Sequence, residues 1–230
     1  MKAFAIVQDL NDLSKEAFER LKYSVEALRC EIELLEFRAT VPETIEGQVE
    51  ELFPGLTYTY PVQGESRIDD ATGLLLRGYS AWNIKKKFSC AISHARLWRR
   101  CQQIEQDIMI LEHDAIFVRK FSEFDWEGGI LGLNDPRGAT RRAERFHSIV
   151  SSGKGISNCP YIDEQRIPQG LAGNSAYIIR PFAARFLLDR LEEYGCWPND
   201  ALMCNQICPW LKVVYPYFTK VQGTISTTVL

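Results

Sequence analysis

The chain has 230 residues, 46% of them hydrophobic and 25% charged. That is enough to bury a sizeable core, in the proportions of an ordinary globular protein rather than a disordered or fibrous one. The only apolar run near the start, residues 4–7, is too short for a secretory leader, and no later stretch approaches the ~20 residues that span a bilayer, so a cytoplasmic protein with no transmembrane segment is expected. The formal net charge of −3 excludes a general affinity for nucleic acid.

In chain order, "KAFAIV" reads as a short buried strand, followed by a turn at residues 8–11. A helix is expected from about Ser14, a plausible N-cap, to Arg29, with Phe18, Leu21, Val25 and Leu28 at helical spacing. "EIELLEF" is a second strand, and strand–helix–strand begins an α/β unit with a parallel sheet. Residues 41–70, with three prolines and three glycines, read as a loop-rich excursion holding at most one short strand at "LTYTYPV". The pattern turns helical from about Ile84 to Glu105. "DIMILEHDAIF" and "GGILGLND" are then strands. Residues 134–168, rich in Gly, Ser and Arg, read as irregular, and a loop of that length is usually functional. "GNSAYIIR" is a strand. Pro181 opens a helix that Gly195 closes, with Phe182, Phe186, Leu187, Leu191 and Tyr194 facing inward. "PNDALMCNQIC" begins another helix, and "LKVVYPYF" is a last strand before a polar tail. No linker or repeat divides the chain, so residues 1–230 are expected to form a single α/β domain.

The charge is uneven. Residues 71–103 hold no acid but carry Arg77, Lys85, Lys86, Lys87, Arg96, Arg99 and Arg100; a second basic stretch holds Arg137, Arg141, Arg142, Arg145 and Lys154. Such runs are usually solvated faces, but two of them in an acidic chain suggest a polyanionic ligand, a diphosphate or a nucleic acid. The seven cysteines are odd in number and sit mostly in apolar contexts, which suits free thiols in a reducing compartment. Cys196, Cys204 and Cys208 lack a fourth ligand at zinc-site spacing.

"ILEHDAIF" places Glu112, His113 and Asp114 inside an apolar strand, where such side chains are costly unless something binds them. Strand alternation puts Glu112 and Asp114 on one side and His113 on the other. At the C-terminal end of a parallel strand this edge faces the crevice where open α/β sheets bind ligands. Two carboxylates there make a hard-oxygen site for Mn²⁺ or Mg²⁺ with positions left for phosphate oxygens. The alternative reading is that the triplet merely ends the strand.

"FSCAISHARLW" followed by "IMILEHDAIF" resembles the paired signature of glycosyltransferase family 25, the lipooligosaccharide and collagen-type galactosyltransferase group. The first motif stands here as Cys90, Ser93, His94 and Trp98, the second as Glu112, His113 and Asp114. "GNSAYIIRPFAARFLLDRL" and "PNDALM" resemble the family's later segments, so the likeness covers residues 88–203. His113 stands where the family has a second Asp, and "QDLNDLSKEAFERL" lacks the arginine-rich turn usual after the first strand.

The resemblance implies a GT-A (Rossmann-like) fold, a mostly parallel sheet flanked by helices. It also implies a nucleotide-sugar donor, a UDP-sugar by default, a Mn²⁺ or Mg²⁺ ion at Glu112, His113 and Asp114, and transfer of a hexose with inversion. Asp200 is the expected base, at a helix N-terminus that would lower its pKa; an N-cap aspartate is the bland alternative. Ser93 and His94 are expected at the donor or in the architecture around it, and Trp98 in the core. Gln8 and Asp9 end the first strand, where GT-A enzymes hold the nucleoside. Asn174 and Ser175 follow Gly170 and Gly173 in a turn where the backbone could approach a sugar closely. His147 is assigned no role. A saccharide is the expected acceptor, with a modified nucleic-acid base as a second class; a binding scaffold that has lost its metal site is the non-enzyme alternative. A nucleotidyltransferase ranks low because no GxxxxGK[ST] loop is present.

Overall fold

The computed structural model describes residues 1–79, 83–137 and 142–223. In chain order the elements are β1 (Lys2–Val7), α1 (Asp12–Ala27), β2 (Glu33–Arg38), α2 (Ile45–Leu52), β3 (Ser66–Ile68), β4 (Leu75–Arg77), α3 (Ile84–Ile104), β5 (Ile108–Glu112) and β6 (Ala115–Phe117). They continue as β7 (Ile130–Gly132), α4 (Ala143–Ser151), β8 (Gly155–Asn158), β9 (Ala176–Ile179), α5 (Pro181–Tyr194), α6 (Asn199–Leu202), β10 (Leu211–Tyr215) and β11 (Thr219–Val221).

Seven strands form one mixed sheet in the order β2-β1-β5-β9-β7-β10-β8. β1 is parallel to both β2 and β5, β9 is antiparallel to β5 and β7, β10 is parallel to β7, and β8 is antiparallel to β10. All strands except β8 and β9 therefore run one way, and the architecture is the helix-flanked, mostly parallel α/β sheet expected. The chain moves from β1 to β2 on one side and returns to β5 on the other. That reversal opens a crevice beyond the C-terminal ends of β1 and β5, where open α/β sheets bind ligands.

Strand residues alternate between two cores, as the pleat requires. Phe4, Ile6, Ile108, Ile110, Tyr177 and Ile179 pack against α3 and α5, where Ile92, Ala95, Trp98, Ala184 and Leu187 are buried. Ala3, Ala5, Val7, Met109, Leu111 and Ile178 face α1 and the small β6–β11 sheet, against Phe18, Leu21, Phe117 and Phe218. Each fully buried Ile, Leu or Phe in these layers contributes about 1.5–3 kcal/mol.

Several expectations need correction. The α1 N-cap is Asn11, whose amide oxygen accepts the Ser14 N–H at 3.2 Å; Ser14 is buried one turn in. The 41–70 excursion contains α2, whose Ile45 is buried and whose Val49 and Leu52 pack on the core at helical spacing. Its expected strand "LTYTYPV" is only a bridge, Tyr58 to Cys196. Residues 134–168 contain α4, which buries Ala143, Phe146 and Val150, and edge strand β8. Phe182 lies 53% exposed against Trp210, because Ala183 and Ala184 take the inward positions of α5. The helix expected from "PNDALMCNQIC" is the single turn of α6. Arg141 and the residues from 224 onward lie outside the described residues.

Candidate active site

A cavity of about 460 Å³ opens at the C-terminal ends of β1, β2 and β5, within the size of small-molecule sites. Its walls include Gln8 and Asp9 from β1's exit, Arg38 from β2, Ser93 and His94 from α3, and Glu112 and His113 from β5's end. Asp9 pairs with Arg38 at 2.7 Å across the rim. The Gln8 N–H is held by the Ser14 hydroxyl at 3.0 Å, and its side-chain oxygen accepts from Asn11 at 3.2 Å. Asp114, Asn174, Ser175 and Asp200 are not among the residues lining this cavity.

Helix α3 supplies one wall because Asn83 caps it and its small residues Ala91 and Ala95 let it lie close on the sheet. Ser93 is bonded inside the protein: its hydroxyl accepts the Thr40 N–H at 2.8 Å and donates to the Ser89 carbonyl at 2.9 Å. This ties the exit of β2 to α3. His94 is fully buried, with Nδ1 2.8 Å from the Tyr177 hydroxyl, which also accepts the Trp98 indole N–H at 2.9 Å. The other ring nitrogen, Nε2, points at Glu112 Oε1, 3.5 Å away, and has no hydrogen-bond partner. Trp98 is thus core, as expected, but it also anchors this relay.

β5 stops at Glu112, and residues 113–114 form a turn into β6, which pairs with β11 instead of the main sheet. Strand alternation therefore does not reach His113 and Asp114. Gln222 fastens the turn: its N–H donates to the Asp114 carbonyl at 2.8 Å, and its side-chain amide donates to the Ala17 carbonyl at 2.8 Å and reaches those of His113 and Ala115. The turn leaves the two carboxyls in contrasting electrostatic states. Burial opposes ionisation of Glu112, but His94, His113 and Lys87 outweigh it and hold its pKa below the ordinary value. Burial and the charge of Glu112 push Asp114 up to about 7, and its buried Oδ1 has no hydrogen-bond partner. Burial lowers the His113 pKa, against the pull of Glu112 and of a hydrogen bond to the Ile6 backbone.

Asp200 stands at the second position of α6, behind Pro198. Its pKa is raised, not lowered as a helix N-terminus alone would make it, because burial outweighs the opposing effects of Lys87, the Tyr79 hydroxyl and backbone N–H groups. Lys87 acts electrostatically on both Glu112 and Asp200 and lies 5.5 Å from the Tyr79 ring centre. Cys90, a cavity residue, has its Sγ 3.9 Å from Asn199 Oδ1. The cavity wall and the Asp200 turn thus meet along one face of α3.

Asn174 and Ser175 flank Glu112 from β9's side: the Ser175 carbonyl accepts the Glu112 N–H at 2.7 Å, and Asn174 Nδ2 is buried without a partner. The close approach expected at Gly170 is to backbone. A Cβ there would stand 2.2 Å from the Met203 carbonyl oxygen and 2.8 Å from that of Asp200. Much of the basic charge is engaged within the chain. Lys85 pairs with Glu46, Arg96 and Arg99 lie over Phe37 and Phe53, Arg137 pairs with Asp135, and Arg142 with Asp163. All seven cysteines are free. His147 packs on Tyr215 and Tyr217. The sequence offers Cys90 only as part of a motif and Lys87 only as part of a basic run, and it gives no signal for Tyr177 or Gln222, which reach the site through long-range contacts.

Residues 84–127, from the start of α3 to beyond β6, match the sequence model of glycosyltransferase family 25 (LPS biosynthesis protein). Over that stretch the chain is similar to family 25 glycosyltransferases. That segment contributes the α3 wall and the Glu112–Asp114 turn, and it marks the chain as a glycosyltransferase. No curated protein matches the chain. Among solved structures it is similar to mouse xyloside xylosyltransferase 1 in its apo form, over 92% of this chain and 84% of that one, at 11% identity and a TM-score of 0.44. No helix among the described residues is long and apolar enough to cross a membrane.

Proposed function

We propose that the chain is a single-domain, metal-dependent, inverting glycosyltransferase that moves a hexose from a nucleotide-sugar, a UDP-sugar by preference, to a saccharide hydroxyl. The observation that carries this reading is the cavity at the sheet's reversal point, lined by Glu112, with a second carboxyl, Asp114, behind it within electrostatic reach of the first. The chemistry of these residues fits a hard divalent cation. Asp114 lies within electrostatic reach of Glu112 and has a buried oxygen with no hydrogen-bond partner, a costly arrangement that a bound cation would offset.

In this reading Glu112 and Asp114 hold Mn²⁺ or Mg²⁺, with His113 beside them. Such an ion supplies neutralisation of the charge that builds on the departing nucleoside diphosphate. Gln8, Asp9 and Arg38 line the nucleoside end of the cavity. Ser93 and His94 shape the donor wall, and Asn174 and Ser175 support Glu112 from the neighbouring strand. Asp200 accepts the proton of the acceptor hydroxyl, and its raised pKa makes it a stronger base than an exposed aspartate. The intramolecular engagement of the basic blocks favours a saccharide acceptor over a nucleic-acid one. The reading places the reaction in the cytoplasm.

The test is release of nucleoside diphosphate from a panel of nucleotide-sugars with Mn²⁺ and saccharide acceptors, with product stereochemistry read by NMR. One donor should turn over, the anomeric configuration should invert, and Asp200→Asn should lower kcat about 10²–10⁴-fold. Retention, or full activity in Asp200→Asn, contradicts the assignment of the base.

A further inference from the structure

We propose that Cys90, His94 and Glu112 form a binding site for a thiophilic divalent ion, Zn²⁺ in particular, in the wall of the cavity. Sγ of Cys90, a ring nitrogen of His94 and a carboxylate oxygen of Glu112 all lie within 4.8 Å of one another. Cys90 and His94 are one turn apart on α3 and present the same face, and Glu112 closes the set from β5's end. Zinc bonds of about 2.0–2.3 Å in a tetrahedron require donor atoms about 3.3–3.6 Å apart. The His94–Glu112 contact, at 3.5 Å, already has that length.

A second observation points to a ligand here. His94 Nε2 is buried, has no hydrogen-bond partner and faces the other two donors. Its opposite nitrogen is fixed by Tyr177, which Trp98 fixes in turn; an outer hydrogen bond of this kind sets the tautomer and orientation of a metal-binding histidine. On binding, His94 would carry its proton on Nδ1, donated to the Tyr177 oxygen, and Nε2 would face the ion in place of its present contact with Glu112. All three residues line the cavity, from which water or substrate could supply a fourth ligand, as in zinc sites that keep an open position. One sulfur and one imidazole nitrogen select zinc over Mn²⁺ or Mg²⁺. Binding replaces the thiol proton with the metal, so one proton leaves per ion. The site stands on side-chain geometry and does not depend on the transferase reading. If that reading also holds, zinc removes Glu112 from the donor's cation and inhibits.

The test uses the metal-free full chain with no nucleotide, titrated with Co²⁺ as a spectroscopic stand-in and then with Zn²⁺. One equivalent of Co²⁺ should give a thiolate-to-cobalt charge-transfer band and intense tetrahedral visible bands, both abolished by Zn²⁺. Cys90→Ser, with folding checked by circular dichroism, should lose the charge-transfer band. Glu112→Gln should keep the band but bind more weakly, and Tyr177→Phe should weaken zinc about 10–100-fold. No charge-transfer band, or one that persists in Cys90→Ser, overturns the proposal. Because no donor is present, that failure leaves the transferase reading intact, and loss of transferase activity would leave the zinc result intact.

Discussion

Glu112 Oε1 stands 3.5 Å from His94 Nε2, joining the last residue of β5 to the buried face of α3. Everything proposed for the site hangs on that seam: the cavity lies on one side of it, and the Tyr177–Trp98 relay braces it from the other.

Tyr177→Phe removes the hydroxyl that serves both His94 Nδ1 and Trp98 Nε1. Each buried polar group left unpaired costs about 1–3 kcal/mol. Urea denaturation should show a lower midpoint at unchanged slope. An unchanged midpoint would mean that the relay does not hold the wall.

Asp114 gives a pH signature in metal-free protein. Its pKa rises on folding, from 3.8 to about 7, so the folded state binds this proton more tightly than the unfolded chain. Its contribution is complete below about pH 4 and is lost as pH climbs through 7. Asp114→Asn should therefore be more stable than the parent at pH 8, with the advantage shrinking towards pH 4. Melting curves that show the same difference at both ends would sink this assignment.

Gln222→Ala removes the side-chain clamp on the 113–114 turn, which bonds Ala17 and reaches His113 and Ala115. The expected stability loss is about 1–3 kcal/mol. Donor KM should rise more than kcat falls, because the turn is displaced while Asp200 is untouched. Steady-state kinetics separate the two.

Much of this fold is legible in the chain itself. β1, α1, β2, α3, β5 and α5 announce themselves through apolar periodicity and end chemistry, since each buries a face that repeats at 2 or 3.6 residues. α2 and α4 are hidden by flanking proline, glycine and arginine, which read as loop although Ile45, Phe146 and Val150 are buried. The Glu112–Asp114 triplet is visible because charge inside an apolar strand demands a reason. Its geometry is not, because β5 ends at Glu112, before His113 and Asp114, and Gln222, distant in sequence, sets the turn. Cys90 joins the site only once β5 is laid against α3.

Gly170→Ala tests the packing under Asp200. The new methyl would stand 2.2 Å from the Met203 carbonyl oxygen and 2.8 Å from that of Asp200, and backbone atoms yield at a cost of about 1–3 kcal/mol. Transferase activity should fall further than stability alone explains, because the Asp200 turn must move. Activity equal to the parent's at a temperature well below melting would argue against a catalytic Asp200.

The most direct test of the central claim is the melting temperature with each nucleotide-sugar, with and without Mn²⁺. A ligand at 100 times its Kd stabilises the folded state by about 2.7 kcal/mol, worth roughly 5–10 °C in a chain of this size. The melting temperature should rise only when one donor and the metal are both present, and the rise should disappear in Asp114→Ala. No rise with any donor at such concentrations, or a full rise in Asp114→Ala, would contradict a cation-held nucleotide-sugar at Glu112 and Asp114.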